Sequence, residues 1–387
     1  MTGNPLTELT LEQLRTRTSR KWRTYSSDVL PLWIAEMDVD LAPPIVDALT
    51  AALAQGDTGY PAGEDYADAY RGFAKRTWGW DVDLAATASM PDVMRGMTAL
   101  LGLVTAPGDA LVITTPVYPP FFAFARNAGR RVVEAPLHPD GRVNLTSLEI
   151  AFQNETRDGR RAALLLSNPH NPTGTVHTAA ELTAVAGLAN QYSVRVISDE
   201  IHAPLVLPGA TFTPYLTVPG GQTGFSLVSA SKGWNLSGIK AALAVAGTTA
   251  IDDLTRLPQE TRLGASHLGN IAHAAAFRHG SEWLDALLTG LDQNRHLLRE
   301  LISEQLSEIS YRDPEATFLA WLDCSSLLAR LQGETPGAFF IREARVALND
   351  GTGFGGSGHG FVRLNYATNP SIIQTAIERL AAAIRRL

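Results

Sequence analysis

The chain has a single cysteine, Cys324, among 387 residues. One thiol cannot close an internal disulfide, which excludes a disulfide-stapled secreted scaffold and fits a reducing compartment. No stretch reaches the ~18 uninterrupted apolar residues of a membrane span. The nearest, around Met94 to Val112, is broken by Arg95, Pro107 and Asp109. The opening stretch MTGNPLTELTLEQLR is polar, with no apolar core of secretory type, so a cytoplasmic protein is expected. The N-x-S/T triplets at Asn144, Asn154 and Asn235 carry no glycosylation meaning there. Basic residues are not in excess: 32 Lys and Arg face 39 Asp and Glu, for a net charge of −7. That balance leaves no electrostatic footprint for nucleic acid. The local cluster Arg15, Arg17, Arg20, Lys21, Arg23 reads as a solvated face, because no apolar segment follows it. Repeats and low-complexity tracts are missing. None of the nine histidines pairs at the short spacing of a zinc site, so no metal is expected. His267, His273 and His279 stand six apart and read as packing or solvent-facing residues, although Gly264 to His273 is placed well to line a dimer interface.

What is present is ordinary globular composition, 45% hydrophobic and 18% charged. The length allows two or three domains, or one large α/β domain with an appendage. Short apolar runs alternate with helical patterns through the middle of the chain. ALVITT (110–115), RVVEA (131–135), AALLLS (162–167), VRVIS (194–198), FSLVSAS (225–231) and AALAVAG (241–247) read as strands, with helices at 121–129 and 179–192. Continuous apolar strands between helices imply a mostly parallel sheet covered on both faces, an α/β domain of the doubly wound kind. The last third carries longer helical patterns and a strand pair, TFLAWLDC (317–324) and FVRLNYA (361–367). A final helix opens at Asn369-Pro370, an N-cap followed by Pro at the first helical position. Its apolar face is Ile373, Ile377, Leu380, Ile384 and Leu387. This third reads as a smaller α+β domain.

Ligands of open α/β sheets bind at the carboxyl ends of the strands, and the residues that carry chemistry follow those ends. After 162–167 comes SNPHNPTG, a rigid turned loop. After 194–198 comes Asp199, in SDEIH; an acid leaving a buried strand is costly without a cationic partner. After 225–231 comes Lys232, in SASKGWNLSG. A lysine at a buried strand end loses solvation, which lowers its pKa and makes it nucleophilic. Singly, each has a bland alternative: a helix cap, a surface lysine, plain turn punctuation. Together, at successive strand ends, they fit pyridoxal phosphate, which needs a lysine for its aldehyde, a carboxylate for its ring nitrogen and donors for its phosphate.

These motifs, in this order, resemble the fold-type I pyridoxal-phosphate enzymes of the class I/II aminotransferase superfamily. With LPLWIAEMD (30–38), GYP (59–61), PVYPPF (116–121) and SASKGWNLSGIK (229–240), the chain is more closely similar to the cystathionine β-lyase-like branch, the bacterial C–S lyases. The resemblance spans nearly the whole chain. It implies a large cofactor-binding domain with a seven-stranded sheet over 46–285, and a small domain built from 1–45 and 286–387. It implies Lys232 as the covalent lysine, Asp199 as the carboxylate under the ring nitrogen, and Asn171 as a donor to the ring oxygen that also borders the substrate. His202 stands where many aminotransferases have tyrosine, in a supporting role, and Tyr118 stacks on the ring. Arg363 clamps the substrate α-carboxylate, aided by the backbone at Ala35. The phosphate lies on the amides of Val93 and Met94 at a helix start, with Ser229, Ser231 and Lys240. Tyr60 reaches the phosphate of a neighbouring subunit, which implies a homodimer with shared active sites. Two departures stand out: Lys240 replaces an arginine, and Asp92 replaces a glycine, either pointing away or capping the helix.

The reaction implied is β-elimination on cystathionine or another S-substituted cysteine. The Lys232 amine removes the Cα proton, a thiolate leaves Cβ, and the released aminoacrylate hydrolyses to pyruvate and ammonia. Lys232 or a nearby tyrosine, from a catalytic set of Lys232, Tyr118 and Tyr60, protonates the leaving sulfur. An aminotransferase shares these groups and stays the alternative; a cofactor-binding regulatory protein is a lesser one. The G-x-G-x-x-G match at 351–356 precedes a strand instead of a helix, which argues against a dinucleotide fingerprint and for a flexible loop leading to Arg363. Cys324 reads as an inert core thiol. Trp321 reads as core, and Trp33 and Trp234 are either core or site residues.

Overall fold

The computed structural model describes residues 3–387. A seven-stranded sheet forms its centre. Its strands, in chain order, are β1 (Thr87–Met90), β2 (Ala110–Ile113), β3 (Arg131–Glu134), β4 (Ala162–Ser167), β5 (Arg195–Asp199), β6 (Phe225–Val228) and β7 (Ala242–Ala246). In space they run β1-β7-β6-β5-β4-β2-β3, all parallel except β7, which lies antiparallel to both neighbours. The apolar runs are continuous because the sheet is buried on both faces. Leu111, Ile113 and Leu165 enter one core, while Ala110, Val112 and Leu164 enter the other. The edge strand β3 ends in the exposed residues Arg131 and Glu134, charges that discourage pairing with another chain. β1 had no counterpart among the expected strands; it is short, and its sequence TASM lacks the branched residues that mark the others.

A second sheet of four antiparallel strands lies in the C-terminal part: β8 (Ser310–Tyr311), β9 (Leu319–Asp323), β10 (Asn349–Asp350) and β11 (Phe361–Asn365), ordered β10-β11-β9-β8. Trp321 pairs with Arg363 across β9 and β11. The final helix runs Pro370–Ile384 with Asn369 as its cap, as expected. Ile373, Ile377, Leu380 and Ile384 are buried, but Leu387 lies beyond the helix end and is exposed. Among the described residues, no helix is long and apolar enough to cross a membrane.

The N-terminal basic cluster is not uniformly solvated. Arg15, Arg20 and Arg23 are exposed and Arg17 is half-buried. Lys21 is fully buried, its Nζ donating to Asp38 Oδ2 at 2.7 Å and to the Glu36 carbonyl at 3.0 Å. The expectation fails there because Trp22, alongside, donates to the other Asp38 oxygen at 3.1 Å and carries the lysine inward. The glycine-rich segment 351–356 opens no helix of the dinucleotide type. It forms two short 3-10 turns held down by Phe354, which is buried against Trp321 and under the Arg363 guanidinium.

Candidate active site

The ends of β4, β5 and β6 and the start of the helix Val93–Val104 converge on a cavity of about 300 Å³. Helix and sheet approach closely there because Gly96 has no side chain: a Cβ would come within 2.7 Å of Leu227. Ala35, Val93, Met94, Tyr118, Asn171, Asp199, His202, Ser229, Ser231, Lys232 and Lys240 all line it, as the sequence led one to expect.

Lys232 follows β6 on a tight turn. Its Nζ donates to the Ala35 carbonyl at 2.6 Å and approaches Ser237 Oγ at 3.2 Å. Burial and the nearby Arg363 guanidinium hold the amine down to about 8, against the opposing pull of Glu36 and Asp199. Thus Ala35 serves Lys232 through its carbonyl. The strap carrying Ala35 is fastened from the lysine's own loop, since the Asn235 side chain accepts from Met37 N and donates to Met37 O, both at 2.9 Å. Asn235 adopts φ 57°, a left-handed conformation that asparagine tolerates. The sequence alone gives Asn235 and Ser237 no role at the site, although both lie in the SASKGWNLSG motif.

Asp199 ends β5, with Oδ1 accepting from Ile201 N at 3.2 Å. Burial pushes its carboxyl up to about 7; the Ile201 amide and Lys232 offset only part of that. His202, three residues on, is buried, with Nδ1 unpartnered among the described residues and its ring edge-on to Phe318. Burial, reinforced by Lys232 and Arg363, lowers its pKa and keeps the imidazole neutral. Tyr118 is half-buried at the cavity wall, its phenol pushed up by burial.

Asn171 sits on the turned loop after β4, where both Asn-Pro bonds are cis. The loop closes at Gly174, with φ 68° and no room for a Cβ beside Pro314. Arg363, on β11, is 2% exposed; Nη1 donates to Asn171 Oδ1 at 2.9 Å and Nη2 to the Trp33 carbonyl at 3.2 Å. Among the described residues Nε has no partner, and burial lowers the guanidinium to about 10.

At the helix end, Val93 and Met94 present the amides that a helix start leaves unpaired. Ser229 Oγ donates to the Ala241 carbonyl at 2.7 Å and accepts from Ser231 N at 3.2 Å. His273, which the sequence analysis reads as a packing or solvent-facing residue, is buried behind: Nε2 meets the Ile239 carbonyl at 2.9 Å and Nδ1 meets Tyr66 Oη at 3.3 Å. Ser229 and His273 thereby pin the backbone on both sides of Lys240. The open question about Asp92 resolves in favour of the cap, since Oδ1 accepts from Arg95 N at 2.8 Å, and Oδ2 also pairs with Lys240 at 2.8 Å.

Tyr60 is not brought to this cavity by its own chain; it is 87% exposed elsewhere. Trp234 is core, fully buried and donating to the Gly280 carbonyl, whereas Trp33 is half-buried and borders the site through its carbonyl. Trp321 stacks on Phe361. Cys324 is buried just past β9, its thiol pushed up by burial.

The family model for aminotransferase class I and II matches residues 38–380. The chain belongs to this family, in the branch of the cystathionine β-lyases. It is 52% identical to a Mycobacterium leprae protein provisionally named a cystathionine β-lyase, over 99% of both chains. It is 32% identical to the cystathionine β-lyase of Corynebacterium glutamicum, covering 97% of this chain and 99% of the relative. Among solved structures, a provisionally named PLP-dependent β-cystathionase from Corynebacterium diphtheriae superposes with a TM-score of 0.90 at 33% identity, covering 98% of this chain and 99% of that one. The fold is that of the fold-type I enzymes. The donor set of this family member fits pyridoxal phosphate: among the described residues it offers a lysine, a buried acid in no ion pair, helix-start amides and hydroxyls lining one cavity, and a buried arginine with a free Nε.

Proposed function

We propose that this chain is a pyridoxal-phosphate-dependent carbon–sulfur β-lyase that cleaves cystathionine or another S-substituted cysteine. The observation that carries it is Lys232, which lines one cavity together with Asp199 and the helix-start residues Val93 and Met94, in a chain matched end to end by a cystathionine β-lyase. When bound, the cofactor supplies an aldehyde for the lysine and a sink for the electron pair released at Cα.

The chain's own groups supply the rest. Arg363 receives the substrate carboxylate, and its contact with Asn171 sets the direction of its fork. The Lys232 amine takes the proton from Cα, a task that suits a base held near 8. Asp199 keeps a proton on the ring nitrogen. The Cβ–S bond breaks with its electron pair on sulfur, and the thiolate takes a proton from Lys232 or from Tyr118. The aminoacrylate that departs hydrolyses in water to pyruvate and ammonia.

The reading includes a homodimer with shared sites. Tyr60 is exposed, and Val46 and Leu53, seven apart on the helix Pro43–Gln55, are exposed apolar residues on one face. It also includes the division into a large unit over 46–285 and a small one from 1–45 and 286–387, and a cytoplasmic setting suited to a lone buried thiol. The test is to incubate the loaded enzyme with cystathionine and no oxo-acid acceptor. Pyruvate and a free thiol in equal amounts are expected, and Lys232→Ala abolishes both. Turnover that requires an oxo-acid acceptor overturns the lyase reading in favour of an aminotransferase.

A further inference from the structure

The cradle end of the cavity has no net side-chain charge. Its lysine, Lys240, is paired with Asp92 at 2.8 Å. The second oxygen of the same carboxylate holds Arg95 N, also at 2.8 Å. One carboxylate therefore engages both kinds of donor that a phosphate uses at a helix start, a backbone amide and a cation. Of the four charged residues lining the cavity, two are acids, Asp92 and Asp199, and two are lysines, Lys232 and Lys240. A glycine at position 92 would leave Lys240 and the Arg95 amide to the incoming anion.

We propose that Asp92 is an internal competitor for the cofactor phosphate, sharing Lys240 with it and setting how tightly the phosphate is held. The inference rests on the pyridoxal-phosphate reading above. The phosphate gains the Val93 and Met94 amides, the hydroxyls and the positive end of the helix dipole. It gains only a share of the lysine, and it meets a carboxylate of its own sign. The side chains of Lys240 and Asp92 are 62% and 24% exposed, so water screens the repulsion. The expected penalty is about tenfold in affinity at low salt, and smaller at high salt. Asp92 also anchors Lys240, whose backbone Ser229 and His273 already fix from behind, so the lysine stays aimed at the cradle.

The test removes the charge and keeps the cap. Asparagine and serine are both good N-caps, so Asp92→Asn and Asp92→Ser should leave the helix start intact. The full-length protein, dialysed free of cofactor, is titrated with pyridoxal phosphate and, separately, with pyridoxal, following absorbance and thermal unfolding. Both variants are expected to bind pyridoxal phosphate about tenfold more tightly than wild type, with pyridoxal affinity unchanged and the gain shrinking as salt rises. If either variant unfolds at the wild-type temperature yet binds pyridoxal phosphate no more tightly, the role given to Asp92 is wrong. If the gain appears equally with pyridoxal, the effect does not act on the phosphate, and the role is equally wrong. A wild-type chain that captures neither aldehyde refutes instead the functional reading beneath it.

Discussion

Arg363 and Asn171, far apart in the chain, meet through one hydrogen bond of 2.9 Å from the guanidinium Nη1 to the amide Oδ1. The bond joins the small antiparallel sheet to the loop after β4. It also orients the amide: with Oδ1 occupied, the NH₂ end is the donor left for a ligand. The guanidinium stays electrically uncompensated, because no carboxylate lies within ion-pair distance of it among the described residues. A buried cation without an anion costs several kcal/mol, and a bound substrate carboxylate removes that cost.

Arg363→Lys keeps the charge but loses the planar fork, so kcat/KM should fall about a hundredfold, near 3 kcal/mol, with most of the loss in KM. Steady-state kinetics on cystathionine measure it. An unchanged KM would remove Arg363 from the carboxylate site. Asn171→Ala should show a smaller loss in the same direction, because Arg363 keeps the Trp33 carbonyl as its remaining anchor.

Asp199 carries the clearest pH dependence. Its carboxyl is raised from 3.8 to about 7 by burial in the cofactor-free chain. Between those values the folded state holds a proton that the unfolded state has lost. Stability from this group is therefore greatest below pH 4 and declines as pH rises toward 7. Asp199→Asn keeps the shape and removes the charge. It should stabilise the cofactor-free protein at pH 8 by about 1–3 kcal/mol while abolishing turnover, and the stability gain should vanish near pH 4. Denaturant melts at both pH values test the sign; a destabilised variant at pH 8 would show that Asp199 is already well compensated.

Which parts were legible in the sequence follows from where the physics is local. The strands of the large sheet could be read because both faces are buried, so every position along Ala162–Ser167 is apolar or small. The site could be read because Asp199 ends one of those strands and Asn171 and Lys232 stand four residues past the ends of two others. β1 could not: it pairs antiparallel with β7, and its partner lies far along the chain. Lys21 could not, because nothing near it in sequence announces that Asp38 lies within 2.7 Å. Asp92 could be flagged but not resolved, since both of its partners, one local and one distant, decide its role.

The buried pair Lys21–Asp38 secures the strap that ends at Ala35 and Met37, and so bears on the catalytic lysine. Both side chains are essentially inaccessible to water, at 0% and 1%. Removing one partner strands the other charge, so Asp38→Ala or Lys21→Met alone should cost about 3–5 kcal/mol. The double variant Lys21→Met with Asp38→Leu should recover much of that stability. A second measurement separates packing from function: the double variant lacks the anchor on the Glu36 carbonyl, so its kcat should stay low after stability returns. A loss in the double variant equal to the sum of the two single losses would mean that the pair contributes no coupling.

The proposed dimer makes a prediction that one chain cannot satisfy alone. Tyr60 is 87% exposed and outside the cavity, so it serves the phosphate only if it belongs to a second copy. A Tyr60→Ala subunit keeps its lysine, and a Lys232→Ala subunit keeps its tyrosine. In a mixed dimer with crossed contributions, one site holds both intact residues and the other holds neither. If subunits assort at random, half of the dimers are mixed, and each carries one working site of two, so co-expressing the two weak variants should restore about a quarter of wild-type activity. Tyr60→Ala alone should weaken cofactor retention, which absorbance after dialysis reads independently. Mixed dimers that show only the residual activity of the two parents would place Tyr60 outside the shared site, because no arrangement that crosses the subunits avoids creating one intact pair.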